Sequence, residues 1–511
     1  MNLRRAAGGI GLMAAVAVSL SVTAPAALAD TADGRAAATK GAGLRDDFNG
    51  DGYADVAFPV PAAGLKSYEG NQDGGGPAYD GYVAVMYGSA DGLVTSSRQV
   101  FDQNKPGIPG DAEQGDAYGS SVTSADLDQD GYADLVVGAG GDNGGKGSLS
   151  VIWGGPDGLS GSTWLSQGAD YQDAVGDLAV AGDFDGDGAT DIATGVHGTS
   201  LRVLTGPFDR DGTPAGGTHE VEGPDAGTPD AARMSDLAAG DVNGDGVADV
   251  VSAGGRGDDS HVGYFAGAST GLTTGTTVGG LDGAGDNLDV GDVNGDHRAD
   301  IVIGRPDGNF GSEKPLPEAK GGMVTYVPGG AEGPDPSKLG RINQDSPGVP
   351  GVAEEDKVDG SVDEFGKGVS IGDIDGDGYA DVSVGVPDET FDGIEMAGSA
   401  VTLRGTAEGL TGQGAQVFSE DTPGVPGISQ EYDFFGSATK LTDTDGDGMA
   451  DLVVGCSGEG EVASEDSTDG SIWVLRATAD GVTPDGSITF GARTLGVPQH
   501  NGGGLGSLFS S

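Results

Sequence analysis

Asp373-Ile374-Asp375-Gly376-Asp377-Gly378-Tyr379-Ala380-Asp381, followed at once by Val382-Ser383-Val384-Gly385-Val386, is the stretch of this chain that decides its fold. The same pattern, D-x-[DN]-x-D-[G/H]-x-x-D and then a short apolar run, occurs seven times. It opens at Asp47, Asp126, Asp183, Asp241, Asp292, Asp373 and Asp443, with successive starts 79, 57, 58, 51, 81 and 70 residues apart. Self-similarity at such a spacing marks an array of like units rather than one irregular domain.

Counted from the first Asp, positions 1, 3, 5 and 9 always carry oxygen side chains. They are Asp47/Asn49/Asp51/Asp55, Asp126/Asp128/Asp130/Asp134, Asp183/Asp185/Asp187/Asp191 and Asp241/Asn243/Asp245/Asp249. The last three sets are Asp292/Asn294/Asp296/Asp300, Asp373/Asp375/Asp377/Asp381 and Asp443/Asp445/Asp447/Asp451. Carboxylates this close repel one another and are costly to bury unpaired. A hard dication resolves the conflict, and Ca²⁺ accepts about 6–8 oxygens in flexible geometry. Position 7 (Tyr53, Tyr132, Ala189, Val247, Arg298, Tyr379, Met449) has no common side-chain chemistry, as expected where only its carbonyl is a ligand. Position 6 is Gly in six loops, which predicts φ > 0 there. His297 breaks that rule and is expected to weaken the fifth of up to seven calcium sites.

Position 12 excludes the EF-hand, which needs Glu there: it is Phe58, Val137, Thr194, Ser252, Ile303, Val384 and Val454. A nonapeptide calcium repeat needs a far shorter period. Strand-like runs such as DLVVGAG and DVSVG follow the loops, and SSVTSAD and GKGVSIGD precede two of them, so the loops read as hairpin connections.

The chain has 511 residues, a net charge of −56, 36% hydrophobic residues, 101 Gly and a single Cys456. So acidic a chain is a poor partner for nucleic acid or an anionic membrane. The apolar content is too low for a thick core but suits one spread over many small sheets. Arg4, Arg5, the apolar Ile10–Val22 and Ala27-Leu28-Ala29 read as a signal peptide cleaved after Ala29, with twin-arginine export as the alternative route. No later stretch has the roughly 18 apolar residues of a membrane span. The expected organisation is a signal at 1–29, a linker at 30–45 and one repeat domain at 46–511, secreted as a monomer.

A longer unit surrounds each loop, as in EFGKGVSIGDIDGDGYADVSVGVPDE of the sixth copy. It resembles the FG-GAP repeat of the integrin α-subunit N-terminal region and of bacterial secreted proteins. The Phe-Gly element stands as Phe365-Gly366, Phe435-Gly436 and Tyr118-Gly119; the Gly-Ala-Pro element stands as Gly138-Ala139-Gly140, Gly385-Val386-Pro387 and Gly455-Cys456-Ser457. In copies three to five the first element is reduced to Val175-Gly176, Met234-Ser235 and Gly285-Asp286. The resemblance implies an all-β, seven-bladed β-propeller of four-stranded antiparallel blades, with Ca²⁺ in the loop between the first two strands. Copy one lacks a strand before its loop, and the C-terminal Leu505-Gly506 looks like a displaced Phe-Gly element. The C-terminal strand is therefore expected to close the ring.

In such a blade the acidic loops share one face, and the 2–3 and 4–1 connections share the other. The longest insertions fall on that other face. Three carry a P-G-[IV]-P-G core (QNKPGIPG, QDSPGVPG, EDTPGVPG), and Leu495-Gly496-Val497-Pro498 is a remnant of a fourth. They read either as stiffeners or as a binding rim, with Tyr68, Tyr79, Phe310, Phe391, Tyr432 and Phe434 as contact candidates. The resemblance also implies ligand binding on this face. Arg256-Gly257-Asp258 spells an adhesion tripeptide, but chance supplies it readily in so Gly- and Asp-rich a chain. His197, His219, His261, His297 and His500 share no ligand spacing, and no nucleophile or phosphate-loop motif occurs. The expectation is a non-catalytic binding or adhesion module for an unidentified extracellular protein or glycan. The alternative is a polysaccharide-active or other hydrolytic or lyase enzyme with its site on the loop face.

Overall fold

The computed structural model describes residues 46–62, 80–171, 173–224, 233–255, 257–281, 283–309, 312, 315–354, 362–391, 393–459, 469–497 and 504–509. The expected signal and linker, Tyr68, Tyr79, Phe310, Arg256 and His500 lie outside them. Seven antiparallel sheets follow one another along the chain, each made of consecutive strands. Blade 2 is typical: Tyr118–Ala125, Asp134–Ala139, Ser148–Trp153 and Ser160–Gln167. Blades 3 to 6 occupy residues 179–221, 234–277, 287–342 and 369–418, and blade 7 runs from Phe435–Thr442 to Thr483–Gly491. The weakened copies three to five thus form four-stranded sheets like those of blades 2, 6 and 7. The chain is a seven-bladed β-propeller.

Alternation along the strands explains the ring. Successive side chains point to opposite faces, and each blade is sandwiched between two others. Val56, Phe58 and Val60 of blade 1 pack with Val453, Ile472 and Phe490 of blade 7, whereas Ala57 faces Tyr118 and Leu135 of blade 2. The buried apolar residues accordingly fall into seven clusters, one at each blade junction. The second strands, such as Asp134–Ala139 and Asp451–Cys456, are buried along their whole length.

Closure differs from expectation in one detail. The first sheet has three strands, Val56–Val60, Tyr82–Met86 and Arg98–Phe101, and Gly504–Phe509 fills the missing place as a turn-containing segment, not a strand. Its position is still that of a Phe-Gly element. The Leu505 N–H donates to the Asp469 carbonyl at 3.2 Å, matching Tyr118 to Asp80, Phe365 to Gly321 and Phe435 to Ala397. Leu505 is fully buried in the blade 7–blade 1 core, and the Phe509 ring stands edge-on to Phe58. Contact with the core, more than a hydrogen-bonded ladder, holds the tail. On the ring axis the first strands enclose a cavity of about 620 Å³, bounded at blade 1 by Ser507–Phe509.

Candidate metal centres and the opposite face

In blades 2 to 7 the acidic loop joins the first strand to the second, and in blade 1 it leads directly into Val56–Val60. Its hydrogen bonding repeats. The position-1 carboxylate accepts the N–H of position 6 in every copy, from Gly52 to Asp47 at 2.9 Å through His297 to Asp292 at 2.8 Å to Gly448 to Asp443 at 2.8 Å. The position-5 carboxylate accepts the N–H of position 7, as in Ala189 to Asp187 at 2.8 Å and Tyr379 to Asp377 at 3.0 Å. Position 6 has positive φ throughout, including His297 at 66°. So does position 4, a Gly in six copies and Gln129 in the second, which the pattern did not single out.

Position 9 is the buried member. Asp55, Asp134, Asp191, Asp249, Asp300, Asp381 and Asp451 are all at most 2% exposed. One oxygen of each takes the N–H of position 2 and the other takes an N–H just past the third strand. For Asp134 these come from Leu127 at 2.9 Å and Gly154 at 2.8 Å. Burial, opposed by these N–H bonds and reinforced by neighbouring carboxylates, pushes Asp55 up to about 8 and Asp134 up to about 7. Such groups favour either a proton or a cation.

The donor set fits a hard cation in four of the loops. Oxygens from Asp126, Asp128 and Asp134 lie within 4.8 Å of one another, as do those of Asp183, Asp185 and Asp191, of Asp373, Asp375 and Asp381, and of Asp443, Asp445 and Asp447. Two oxygens bound at about 2.3–2.6 Å to one Ca²⁺ can stand no farther apart than about 5 Å.

In loops 1, 4 and 5, among the described residues, no three carboxylates come this close. Position 3 is Asn there, and its amide turns to the loop's own aspartates. The Asn49 amide donates to Asp51 Oδ2 at 3.0 Å, and Asn49 Oδ1 accepts the Asp51 N–H at 2.8 Å. In loops 4 and 5 the Asn243 and Asn294 amides donate to the position-9 aspartate, beside the hydroxyls of Tyr264 and Tyr326. Position 5 differs from its neighbours in exposure. It is exposed in every copy, Asp51 and Asp245 included, and only as Asp447 does it join a cluster. The Asp51 and Asp245 carboxylates accept the N–H groups of Tyr53 at 3.1 Å and Val247 at 3.0 Å, as Asp447 accepts that of Met449 at 2.9 Å. The Asp245 N–H is itself held by Asp241 at 3.0 Å and by Asn243 Oδ1 at 2.8 Å. The physical reason is repulsion: of several like charges on one short loop, the one that can reach water stands apart from the buried one.

The repeat's two glycines also find their reason. A Cβ on Gly138 would lie 1.9 Å from the Gly176 carbonyl oxygen of the next blade, and one on Gly385 would lie 2.1 Å from that of Gly436. The Gly of one blade's Gly-Ala-Pro element is thus the seat for the next blade's Phe-Gly turn. The FG-GAP repeat family matches the chain at residues 118–152, 284–326 and 365–403. The chain thus carries FG-GAP repeats in three places. It is 31% identical over 233 residues to integrin alpha pat-2 of Caenorhabditis elegans, covering 44% of this chain and 18% of that protein. It is 36% identical over 96 residues to integrin alpha-5 of Xenopus laevis (18% and 8%), and 29% identical over 181 residues to human integrin alpha-IIb (35% and 15%). The matched part of the chain therefore spans less than a fifth of these relatives. Among its described residues no helix is long and apolar enough to cross a membrane.

On the opposite face the P-G-[IV]-P-G segments share one conformation, with positive φ at both glycines: Gly107 and Gly110, Gly348 and Gly351, Gly424 and Gly427. Val349 and Val425 plug blade junctions, and Ile108 packs likewise. The core of the motif is therefore a stiffener. Residues just past it are not: Val352 and Ile428 are exposed, and so is Tyr432, while Phe391 and Phe434 are half-buried. Under the last segment Glu420, Asp433 and Glu459 bring their oxygens within 4.8 Å. Burial pushes Glu420 up to about 8 and Glu459 up to about 9. The Asp258 carboxylate accepts from Ser312 and pairs with Arg305, so it is engaged within the fold. His197 lies 3.4 Å from Asp173 and His297 lies 3.7 Å from Asp292.

Proposed function

We propose that the chain is an exported, calcium-stabilised propeller that acts as a non-catalytic binding or adhesion module. It holds an extracellular protein or glycan through the connections opposite the acidic loops. One observation carries this reading. Of the five exposed large hydrophobic residues among those described, Tyr171 (75%), Ile428 (74%), Val352 (60%) and Tyr432 (49%) all stand on 4–1 connections, and none stands on an acidic loop. Aromatic and aliphatic groups that water would expel are the anchors of recognition surfaces. Similarity to integrin alpha subunits accords with the same role.

In this reading positions 1, 3, 5 and 9 and the carbonyl of position 7 hold Ca²⁺ in each loop. Bound metal supplies positive charge where the carboxylates are densest, and the chain's part is to orient them through the backbone N–H groups already in place. The test is retention of a ligand from the organism's growth medium, and on protein and glycan arrays, by the immobilised chain. Ile428→Glu combined with Tyr432→Ala is expected to abolish retention while leaving the melting temperature unchanged. Undiminished retention would sink the assignment of the face. The enzyme alternative rests on Glu420, Asp433 and Glu459, since a carboxyl kept protonated near neutrality can act as a general acid. Polysaccharide turnover that disappears in Glu459→Gln would favour it.

A further inference from the structure

The seven loops differ in charge, and the difference is matched by arginine. Position 3 is Asn in loops 1, 4 and 5 and Asp in loops 2, 3, 6 and 7. Three of the four loops with the extra carboxylate have a guanidinium on it. Arg404 Nη1 lies 2.6 Å from Asp375 Oδ2 and 2.9 Å from Asp381 Oδ2. Arg476 Nη1 lies 3.3 Å from Asp445 Oδ2. Arg210 bonds Asp128 and Asp130 while its guanidinium lies 5.5 Å from the Trp153 ring. Arg404 and Arg476 hold the same place in their blades, immediately before Gly405 and Ala477, whose N–H groups bind the position-9 aspartate. Arg210 reaches its loop from the following blade.

Loops 2, 6 and 7 therefore carry the same uncompensated charge as the Asn-bearing loop 1, and loop 4 carries no more, since Arg298 Nε lies 3.4 Å from its Asn243 carbonyl oxygen. Loop 5 carries less, because Arg298 at position 7 lies 3.5 Å from Asp296. Loop 3 carries more. Among the described residues no Lys, Arg or His pairs with Asp183, Asp185, Asp187 or Asp191. Affinity in oxygen-ligand sites is tuned by the charge count of the ligands and the rigidity of the site.

We propose that loop 3 is the tightest calcium site of the ring and fills first, because its fourth carboxylate alone has no arginine partner, and that Arg404 sets the affinity of loop 6. This rests on the calcium reading above. The test is isothermal titration of the chelator-stripped chain with CaCl₂ at fixed salt. One step about tenfold tighter than the others is expected, on the scale by which ligand charge tunes such sites. Asp185→Asn should remove that step; Asn is already the residue of loops 1, 4 and 5 at this position, so the fold is retained and near-ultraviolet circular dichroism checks it. Arg404→Gln should create a second tight step by leaving Asp375 unmatched. A tight step that survives Asp185→Asn, or an isotherm unchanged by Arg404→Gln, overturns the proposal. An isotherm with no calcium step at all would instead overturn the calcium reading itself.

Discussion

Gly455 and Gly506 meet backbone to backbone across the closure of the ring: a Cβ on Gly455 would stand 1.9 Å from the Gly506 carbonyl oxygen. The contact is the same as that between Gly138 and Gly176 inside the ring, although here it joins blade 7 to the C-terminal tail. The seventh junction is therefore built from the repeat's own close approach of glycines.

Removing Leu505–Ser511 should therefore act as a core mutation. Leu505 is fully buried and Phe509 packs on Phe58, and losing large apolar side chains from a core costs about 2–5 kcal/mol each. Thermal unfolding of the truncated chain is expected several degrees below that of the full chain. Gly455→Ala should do the same with the tail intact, since the added methyl meets backbone that cannot yield. An unchanged melting temperature in both would refute closure by the tail.

Chelation should destabilise the propeller, and calcium should restore it. A site held at ten times its dissociation constant contributes roughly 1.4 kcal/mol. Differential scanning calorimetry in EDTA and in excess CaCl₂ should show a calcium-dependent rise in melting temperature. Mutating the position-9 Asp134 to Ala should lower stability even in EDTA, because it also orphans the N–H groups of Leu127 and Gly154.

His297→Gly should stabilise the chain. Its φ of 66° lies where a side chain crowds the backbone, at a cost of about 1–2 kcal/mol. Urea unfolding should gain about that much, and Gly378→His in loop 6, at φ 89°, should lose a similar amount. Equal midpoints for His297→Gly and the parent would count against the strain.

Stability should fall as pH rises through the range set by Glu420 and Glu459. Their usual value is 4.5, and burial beside Asp433 pushes them up to about 8 and about 9. The native state thus keeps protons that the unfolded chain releases. This contribution is complete below about pH 4.5 and is lost as pH climbs towards the folded values. Glu420→Gln should flatten that slope. The matching places under the other two Pro-Gly segments are already Gln103 and Gln344, and Gln344 donates to Glu389 at 2.6 Å. A pH profile unaltered by Glu420→Gln would reject this role for the cluster.

What could be read from the sequence was whatever a single copy spells out locally. The acidic loops, their hairpin setting, the need for positive φ at position 6 and the Leu505-Gly506 element all stood in runs of a few residues. Copies three to five read as weaker because their Phe-Gly pairs had decayed. Yet Val175 still bridges to Gly147 as Tyr118 does to Gly81, since the turn uses backbone and a buried apolar side chain rather than an aromatic ring. The pattern also treated the four oxygen positions as equivalent. It could not show that Asp51 and Asp245 stand in water while Asp55 and Asp249 are buried, because burial is set by the neighbouring strands. The arginine partners were not legible: Arg404 is 29 residues from Asp375 and recurs only as Arg476, and Arg210 comes from another blade. Position 8 could have been found by counting, for it is Ala in six copies and Thr190 in the third.

That alanine ties the ring together. Its N–H donates to the position-1 carbonyl of the preceding loop, from Ala133 to Asp47 and from Ala450 to Asp373, and finally from Ala54 to Asp443 at 3.3 Å across the closure. At the one junction where Thr190 replaces Ala, the blades are still joined by the Phe208 N–H to the Leu127 carbonyl, a contact repeated elsewhere by Gly155 to Phe48, Ala268 to Phe184 and Gly330 to Val242. An open repeat array can fray from either end, because its terminal units have a single neighbour. Here backbone bonds between neighbouring blades run round the ring, loop to loop at six of its seven junctions, and leave no terminal unit, so the blades are expected to be lost together.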